Sequence, residues 1–337
     1  GFTTAAFGVA SLNAIFGSAL IATLWLANPV HAAELAAPGP MNQTPPPAAT
    51  LAAGFAPGHL PFSLTIRDEL SVDYETFAIF ARPGEQVRIR ADRPLSWTDD
   101  MVMRAASPEL DWTAPMQPGL SRVSLEDGEG HVMTLNLIVM RSADGDSING
   151  YHLGSYPSEP YRGHENYRAP EFFLEVDSDL GEIAVSPHFR LGQFLCKQEA
   201  DGPQYLVLSE RLLVKLERIL EAANSHGWRT DGFTVMSGYR TPAYNADLGN
   251  GENSRHIYGG AADIYIDVDG DEVMDDLNGD GVHDRRDAAA LFDLVESLAD
   301  NPLFAGLAGG LGEYAPNAWH GPYVHVDERG WNVQWGR

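Results

Sequence analysis

The sequence predicts an α+β protein. Three observations carry that prediction: period-two apolar runs crowd residues 63–141, an amphipathic pattern of helical period begins at Ser209, and the strand and helix signals beyond it mix without a regular βαβ rhythm. At 337 residues the chain exceeds the usual size of one domain. A main domain, a smaller module and an unpacked lead-in are therefore expected.

From the start, residues 5–27 are apolar apart from scattered Ser, Thr and Asn13, and Val30-His31-Ala32-Ala33 follows. An apolar stretch ahead of a small-residue cleavage pattern reads as a secretory signal over 1–32, cut after Ala32. The alternative is an uncleaved N-terminal membrane anchor, since the run is nearly long enough to span a bilayer. Both place the remainder outside the cytoplasm. Residues 33–62 turn to Ala, Pro and Gly, with Pro45-Pro46-Pro47, and predict an extended linker. Residues 63–142 carry alternating runs at 77–81, 86–91 and 132–140, punctuated by Pro83-Gly84 and Asp127-Gly128, the pattern of a small antiparallel β-domain. A Gly- and Pro-bearing connection over 143–183 leads to a second domain, 184–337.

In that domain Ser209 is an N-cap for a helix carrying Leu212, Leu213, Leu216, Ile219, Leu220 and Ala223 on one face, stopped by Gly227. Residues 233–236 read as a strand, and Thr241-Pro242 as an N-cap followed by proline at the first helical position. A helix over 288–299 stops at Asn301-Pro302, and a last strand covers 323–327. No internal repeat is present.

Acidic residues number 47 against 22 basic ones, for a net charge of −25 and a pI near 4.6. Such a chain has no basic stripe with which to neutralise phosphates, which excludes nucleic acid as a partner and disfavours an anionic membrane surface. Membrane contact is expected only through an uncleaved N-terminal segment. The single cysteine, Cys196, cannot form an intramolecular disulfide, and within Phe194-Leu195-Cys196 it reads as a small buried hydrophobe.

One constellation carries chemistry. Ser254-Arg255-His256-Ile257-Tyr258-Gly259-Gly260-Ala261-Ala262-Asp263 sets an imidazole and a carboxylate seven positions apart, with small residues between them that let the backbone turn and pass close to a metal. Tyr323-Val324-His325-Val326-Asp327 supplies a second imidazole on a strand, with Val324 and Val326 on the opposite face. Two histidines and one carboxylate, with water in the fourth position, make an open catalytic zinc site rather than a closed structural one. Any one of these histidines alone would be an ordinary core or surface residue.

These residues fall in an ordered set: Ser237-Gly238-Tyr239-Arg240-Thr241-Pro242, Asn245, then Ser254-x-His256-x-x-Gly259-x-Ala261-x-Asp263, then His325-Val326-Asp327. Over roughly residues 186–335 the chain resembles the D-Ala-D-Ala carboxypeptidase (VanY-like) family of zinc metallopeptidases, of the hedgehog/DD-peptidase fold. The resemblance implies an α+β zinc catalytic domain preceded by the small antiparallel β-domain. It also implies zinc bound by His256, Asp263 and His325, and substrate contact from Ser237, Tyr239 and Arg240, the last also stabilising developing negative charge. Many members carry an acidic general base three positions before the last histidine, but here that position is Pro322. His320 and Asp327 are the nearby candidates for a catalytic proton acceptor, with Asp327 equally suited to orienting an imidazole. His188 reads as a hydrogen-bonded structural residue and His283 as exposed.

A second pattern lies downstream of Asp263. In the loop over residues 276–287, Asp276, Asn278, Asp280, the Val282 carbonyl, Asp284 and Asp287 fall at calcium-ligand positions of an EF-hand-type loop, with Gly281 at the sharp turn. Asp287 stands in place of the usual Glu, and the preceding Asp267-Val268-Asp269-Gly270-Asp271 is a poorer match because Glu272 occupies the glycine position. A structural Ca²⁺ bound within residues 267–287 is expected to pin the strand that presents Asp263.

The expectation is therefore an exported, periplasmic or cell-wall-associated zinc peptidase, a monomer, acting on peptidoglycan stem peptides or cross-links next to a D-amino acid. Two alternatives stand beside it: a metal-containing peptidoglycan-binding module without catalysis, and a calcium-dependent adhesion or scaffold protein.

Overall fold

The computed structural model describes residues 54–99 and 102–337, which lie in one compact unit. The signal expected over 1–32 and most of the linker expected over 33–62 lie outside the described residues. No helix among the described residues is long and apolar enough to cross a membrane.

The alternating runs become a seven-stranded sheet: β1 (His59–Ile66), β2 (Leu70–Tyr74), β3 (Thr76–Ala81), β4 (Gln86–Asp99), β5 (Val102–Thr113), β6 (Gly119–Glu126) and β7 (Val132–Val139). The order is β2-β1-β4-β6-β7-β3, with β5 paired to β4. One pairing corrects the antiparallel expectation, because β3 runs parallel to β7, Thr76 opposite Thr134 through Ala81 opposite Val139. The physical reason is burial: Phe77, Ala78, Ile79 and Ala81 are fully covered, so β3 is a strand enclosed on both faces rather than a solvated hairpin arm.

The second half of the chain is built on the helix read from Ser209. Helix α1 (Glu210–His226) runs from that N-cap to Gly227, and Leu212, Leu213, Leu216, Ile219, Leu220 and Ala223 are wholly buried along one stripe. Each of the larger side chains contributes about 1.5–3 kcal/mol of burial free energy. Thr241 caps α2 (Pro242–Asp247) by accepting from the Tyr244 N–H at 3.0 Å. Helix α3 (Arg285–Ser297) starts three residues earlier than the apolar pattern alone suggests, because Asp284 and Asp287 form a capping box ahead of it.

Five strands form the second sheet: β8 (Thr234–Ser237), β9 (Ala261–Tyr265), β10 (Gly310–Tyr314), β11 (Tyr323–Asp327) and β12 (Val333–Trp335). Their order is β8-β9-β11-β10-β12, antiparallel except for the parallel pair β10 and β12. Strands and helices thus mix without a βαβ repeat, as an α+β arrangement should.

Helix α1 also receives the first sheet. At its N-terminus Glu210 pairs with Arg67 at 2.9 Å and accepts the Phe80 N–H at 2.8 Å. Three turns on, His59 lies between Asp73 (3.1 Å) and Glu221 (3.0 Å), stacked on Tyr74, whose hydroxyl donates to Glu221. Hydrogen bonds to Asp73 and then Glu221 raise His59 from 6.5 to about 9. A raised folded value means that its stabilising contribution is complete below about pH 6.5 and lost as pH climbs through about 9. The melting temperature is therefore expected to fall more steeply between pH 7 and pH 10 in the wild type than in His59→Gln. The mutant comparison cancels other groups, such as Lys215, which burial lowers to about 8 and which acts in the opposite sense. Parallel pH profiles for the two proteins would contradict the assignment.

Candidate metal centre

Strand register brings the site together. Asp263 on β9 stands directly opposite His325 on β11, so both side chains leave the same face of the sheet at neighbouring positions. The same rung continues outward from Asp263 to Ser237 on β8, and from His325 to Gly312 on β10 and Trp335 on β12. His256 arrives from a short 3₁₀ turn, Arg255–Tyr258, that precedes β9. The three expected ligands converge: His256 Nε2 lies 3.1 Å from His325 Nδ1 and 3.2 Å from Asp263 Oδ1, and His325 Nδ1 lies 2.9 Å from Asp263 Oδ1. All three are buried.

Their outer hydrogen bonds decide which atoms face inward. His256 Nδ1 lies 2.7 Å from the Gly238 carbonyl, and His325 Nε2 lies 3.1 Å from Asp327 Oδ2. Both of these partners only accept, so each neutral ring carries its proton on the outer nitrogen and points a lone pair at the centre. Two nitrogen lone pairs and a carboxylate oxygen at such separations repel one another unless a cation sits between them, and ligand atoms around tetrahedral zinc stand roughly 3.3 Å apart. The residues fit a zinc ion. Burial lowers the affinity of His256 for a proton.

Asp327 is corrected from catalytic candidate to positioning residue. It is fully buried, takes the His325 N–H and an Arg329 guanidinium, and accepts the Gly310 N–H at 2.7 Å. A carboxylate so engaged has no path to a substrate proton, and it orients His325 instead. Behind it, buried Lys215 donates to the Asp327 carbonyl at 2.6 Å. Tyr239 is also corrected. Only 1% exposed, it points into the core, where its hydroxyl meets Tyr156 at 2.9 Å, and it does not line the cleft. The Tyr156 hydroxyl donates to the Ile257 carbonyl at 2.9 Å and so steadies the turn that carries His256.

The glycines between His256 and Asp263 act differently from the expectation. Gly259 is left-handed at φ +65°, and a Cβ there would stand 2.1 Å from the Val207 carbonyl oxygen. Its smallness admits neighbouring backbone rather than the metal. Gly312 works the same way on the far side of His325, where a Cβ would stand 2.4 Å from the Trp335 indole nitrogen. Trp335 thereby packs on His325, ring centroids 5.1 Å apart, and donates to the Tyr314 hydroxyl at 2.9 Å.

Above the ligands opens a cleft of about 730 Å³. Ser237, Arg240 and His320 line it, as read from the sequence. Arg240 places Nε on Ser237 Oγ at 2.8 Å and Nη2 on Asp263 Oδ2. It therefore touches a metal ligand directly. His320 Nδ1 donates to the Gly321 carbonyl at 2.7 Å, which leaves Nε2 as the accepting nitrogen, held by the Asn317 amide at 2.7 Å. His188 is structural as expected, bonded to buried Glu217 at 2.7 Å, and His283 is exposed.

The calcium expectation finds no support. Asp280 and Asp284 both pair with Arg286, at 2.7 and 2.9 Å, so a guanidinium offsets part of the loop's charge. Asp287 is fully buried, caps α3, and accepts the Leu277 and Asp284 N–H groups. Asp276 accepts from Gly279, Asp280 and Gly281, and the Asn278 side chain donates to Asp287. Val282 lies exposed beside this ring. Carboxylate oxygens do converge at Asp267, Asp269 and Asp275, the stretch whose sequence matches less well.

The site defines a class, that of proteins with two buried histidines and one carboxylate placed so that they could hold a metal ion at the floor of an open cleft. Residues 187–279 match the family model Peptidase M15, a match that includes His256 and Asp263 and supports a metallopeptidase. No curated protein matches the chain.

Because Asp327 fixes the ring of His325, Asp327→Asn is expected to weaken zinc binding about 10- to 100-fold. His256→Ala should abolish stoichiometric zinc altogether. Metal content after dialysis against a competing chelator checks both, and wild-type zinc retention in either variant would contradict the ligand set.

Proposed function

We propose that the chain is a zinc peptidase of the D-Ala-D-Ala carboxypeptidase kind, hydrolysing a peptide bond next to a D-amino acid in the murein stem peptide or cross-link. The single observation that carries this reading is the convergence of three inward-facing lone pairs beneath an open cleft edged by Arg240 and His320. The matched M15 family and the ordered sequence set from Ser237 to Asp327 support the substrate class. A place outside the cytoplasm, in periplasm or cell wall, is supported by the apolar stretch 5–27 and the pattern ending at Ala33.

Zinc, when bound, acidifies a water molecule and polarises the scissile carbonyl. The chain's own residues do the rest. Asp263 gives one oxygen to the centre and keeps the other on Arg240, which fixes the guanidinium at the edge of the metal. Arg240 has five N–H donors and spends Nε on Ser237 and one Nη2 hydrogen on Asp263, which leaves donors for the oxygen on which negative charge develops. His320 keeps its proton on Nδ1, and its accepting Nε2 would take a proton from the attacking water and return it to the leaving amine once it gives up the Asn317 amide that holds it. This histidine fills the role left open by Pro322.

Because Arg240 touches Asp263, its loss should act twice. Arg240→Ala is expected to weaken zinc binding and, even at saturating zinc, to lower turnover by about two to three orders of magnitude. Arg240→Lys should recover only part, since a point charge cannot reproduce the planar fork. Mass spectrometry of muropeptides, run beside zinc content for each variant, reads both effects. Wild-type turnover in zinc-loaded Arg240→Ala would remove the arginine from the mechanism, and an inert wild type would favour the non-catalytic binding module.

A further inference from the structure

We infer that the chain carries a second ligand site, outside the metal cleft, which holds an apolar α-amino acid as its zwitterion at the N-terminus of helix α1. The site is a cavity of about 400 Å³ bordered by the first sheet, by Ser209, Glu210 and Arg211 at the helix start, and by Arg255 and Tyr258 of the turn that carries His256. The zinc ligands do not line it, so its occupant is independent of what the cleft hydrolyses.

Hydrogen-bond donors without acceptors gather here. Ser209 stands at the N-cap of a 17-residue helix, yet its side chain makes no cap bond. The Leu212 and Leu213 N–H groups turn back to the Ser209 carbonyl at 3.1 and 3.3 Å, while those of Glu210 and Arg211 have no acceptor among the described residues. The Glu210 carboxylate does not supply one, because Arg67 and the Phe80 N–H hold it. A second observation is independent of the helix. Tyr258 and Arg255 are only 9% and 3% exposed, and the Tyr258 hydroxyl and Arg255 Nε have no hydrogen-bond partner among the described residues. Buried donors are seldom left unbonded, and the positive end of the helix dipole adds a preference for a negative group. A carboxylate meets both demands.

The charged lining narrows the ligand further. Four arginines and four glutamates border the cavity, and three of each are paired: Arg67 with Glu210, Arg211 with Glu69, and Arg255 with Glu328. Arg82 and Glu171 remain, both exposed and neither with an opposite charge within 4 Å among the described residues. A wall without net charge gives no advantage to a multiply charged anion such as phosphate. It suits a ligand with one charge of each sign, the carboxylate toward the helix start and the ammonium toward Glu171. Leu70, Met140, Phe172 and Leu208 form the apolar part of the lining, which fits a hydrocarbon side chain.

Isothermal calorimetry on the zinc-loaded full chain tests the site, with L-leucine and D-leucine as probes. The controls are isovalerate, which lacks the ammonium, isoamylamine, which lacks the carboxylate, and inorganic phosphate. One hand of leucine should bind at least about tenfold tighter than any of the three. Tyr258→Phe removes an oxygen that bonds nothing in the protein, so melting temperature and zinc content should hold while leucine binding weakens about tenfold. Glu171→Gln should weaken leucine binding by a similar factor and leave isovalerate unchanged. Leucine affinity unchanged in either variant overturns the assignment, since binding would then lie elsewhere, at the metal for instance. Failure of both hands to bind at millimolar concentration overturns it as well, and so does phosphate binding tighter than leucine, which would mark a plain anion site.

Discussion

Everything at the centre of this protein depends on one rung of its second sheet, in which Ser237, Asp263, His325, Gly312 and Trp335 stand side by side on five neighbouring strands. Directly opposed residues hold their Cβ atoms about 4.5–5.5 Å apart, a spacing that lets two side chains share one ion. A slip of a single residue in β9 or β11 would send Asp263 and His325 to opposite faces. The rung also explains its own composition. A large residue at Gly312 would exclude the Trp335 indole that packs on His325, and Ser237 stands where its hydroxyl can receive Arg240. The sheet thus fixes two ligands, the guanidinium that borders them and the aromatic wall beyond.

Charge is arranged around this rung in layers. His325 donates its outer N–H to Asp327, Asp327 is neutralised by Arg329, and the Asp327 carbonyl is tied down by Lys215 on the main helix. On the other side Arg255, buried with Glu328, stacks against Tyr167 and Tyr258 and closes the wall behind the His256 turn. Removing one partner from such a buried pair leaves an uncompensated charge, which costs far more than the pair contributes intact. The supporting charges of the site are paired, Arg255 with Glu328 and Arg329 with Asp327. Its reactive edge at Arg240 and His320 is the part left open to the cleft.

Much of this was legible in the residues, and the remainder was hidden for identifiable reasons. The ligand set could be read because His256, Asp263 and His325 are side chains with few other uses in that order. The helix from Ser209 to Gly227 could be read because its apolar stripe repeats at helical spacing. The last strand could be read from the alternation of Tyr323, Val324, His325 and Val326. Lys215 and Trp335 could not, since nothing local to a lysine inside an apolar helix or to a tryptophan near the C-terminus reveals which strand it will meet. Tyr239 and Asp327 sit in the right segments but are buried, because Tyr239, just past the end of β8, meets Tyr156, and Asp327 meets Arg329 and the Gly310 N–H, partners that residue order does not reveal. The calcium reading of the acidic loop finds no support for a different reason: residue order reveals possible oxygen ligands but not the arginine that reaches back to pair with Asp280 and Asp284. The parallel pairing of β3 with β7 was invisible because strand direction is set by long-range contacts.

The most direct test of the account is X-ray absorption at the zinc edge on purified full-length protein carrying one zinc per chain. The rung and its neighbours require a four-coordinate centre with two imidazole nitrogens and two oxygens at about 2.0–2.2 Å, one oxygen from Asp263 and one exchangeable. A spectrum of that form from the wild type, together with loss of stoichiometric zinc from His325→Ala, is the expected result. A sulfur shell near 2.3 Å, a six-coordinate oxygen site, or a spectrum unchanged by His325→Ala would contradict it.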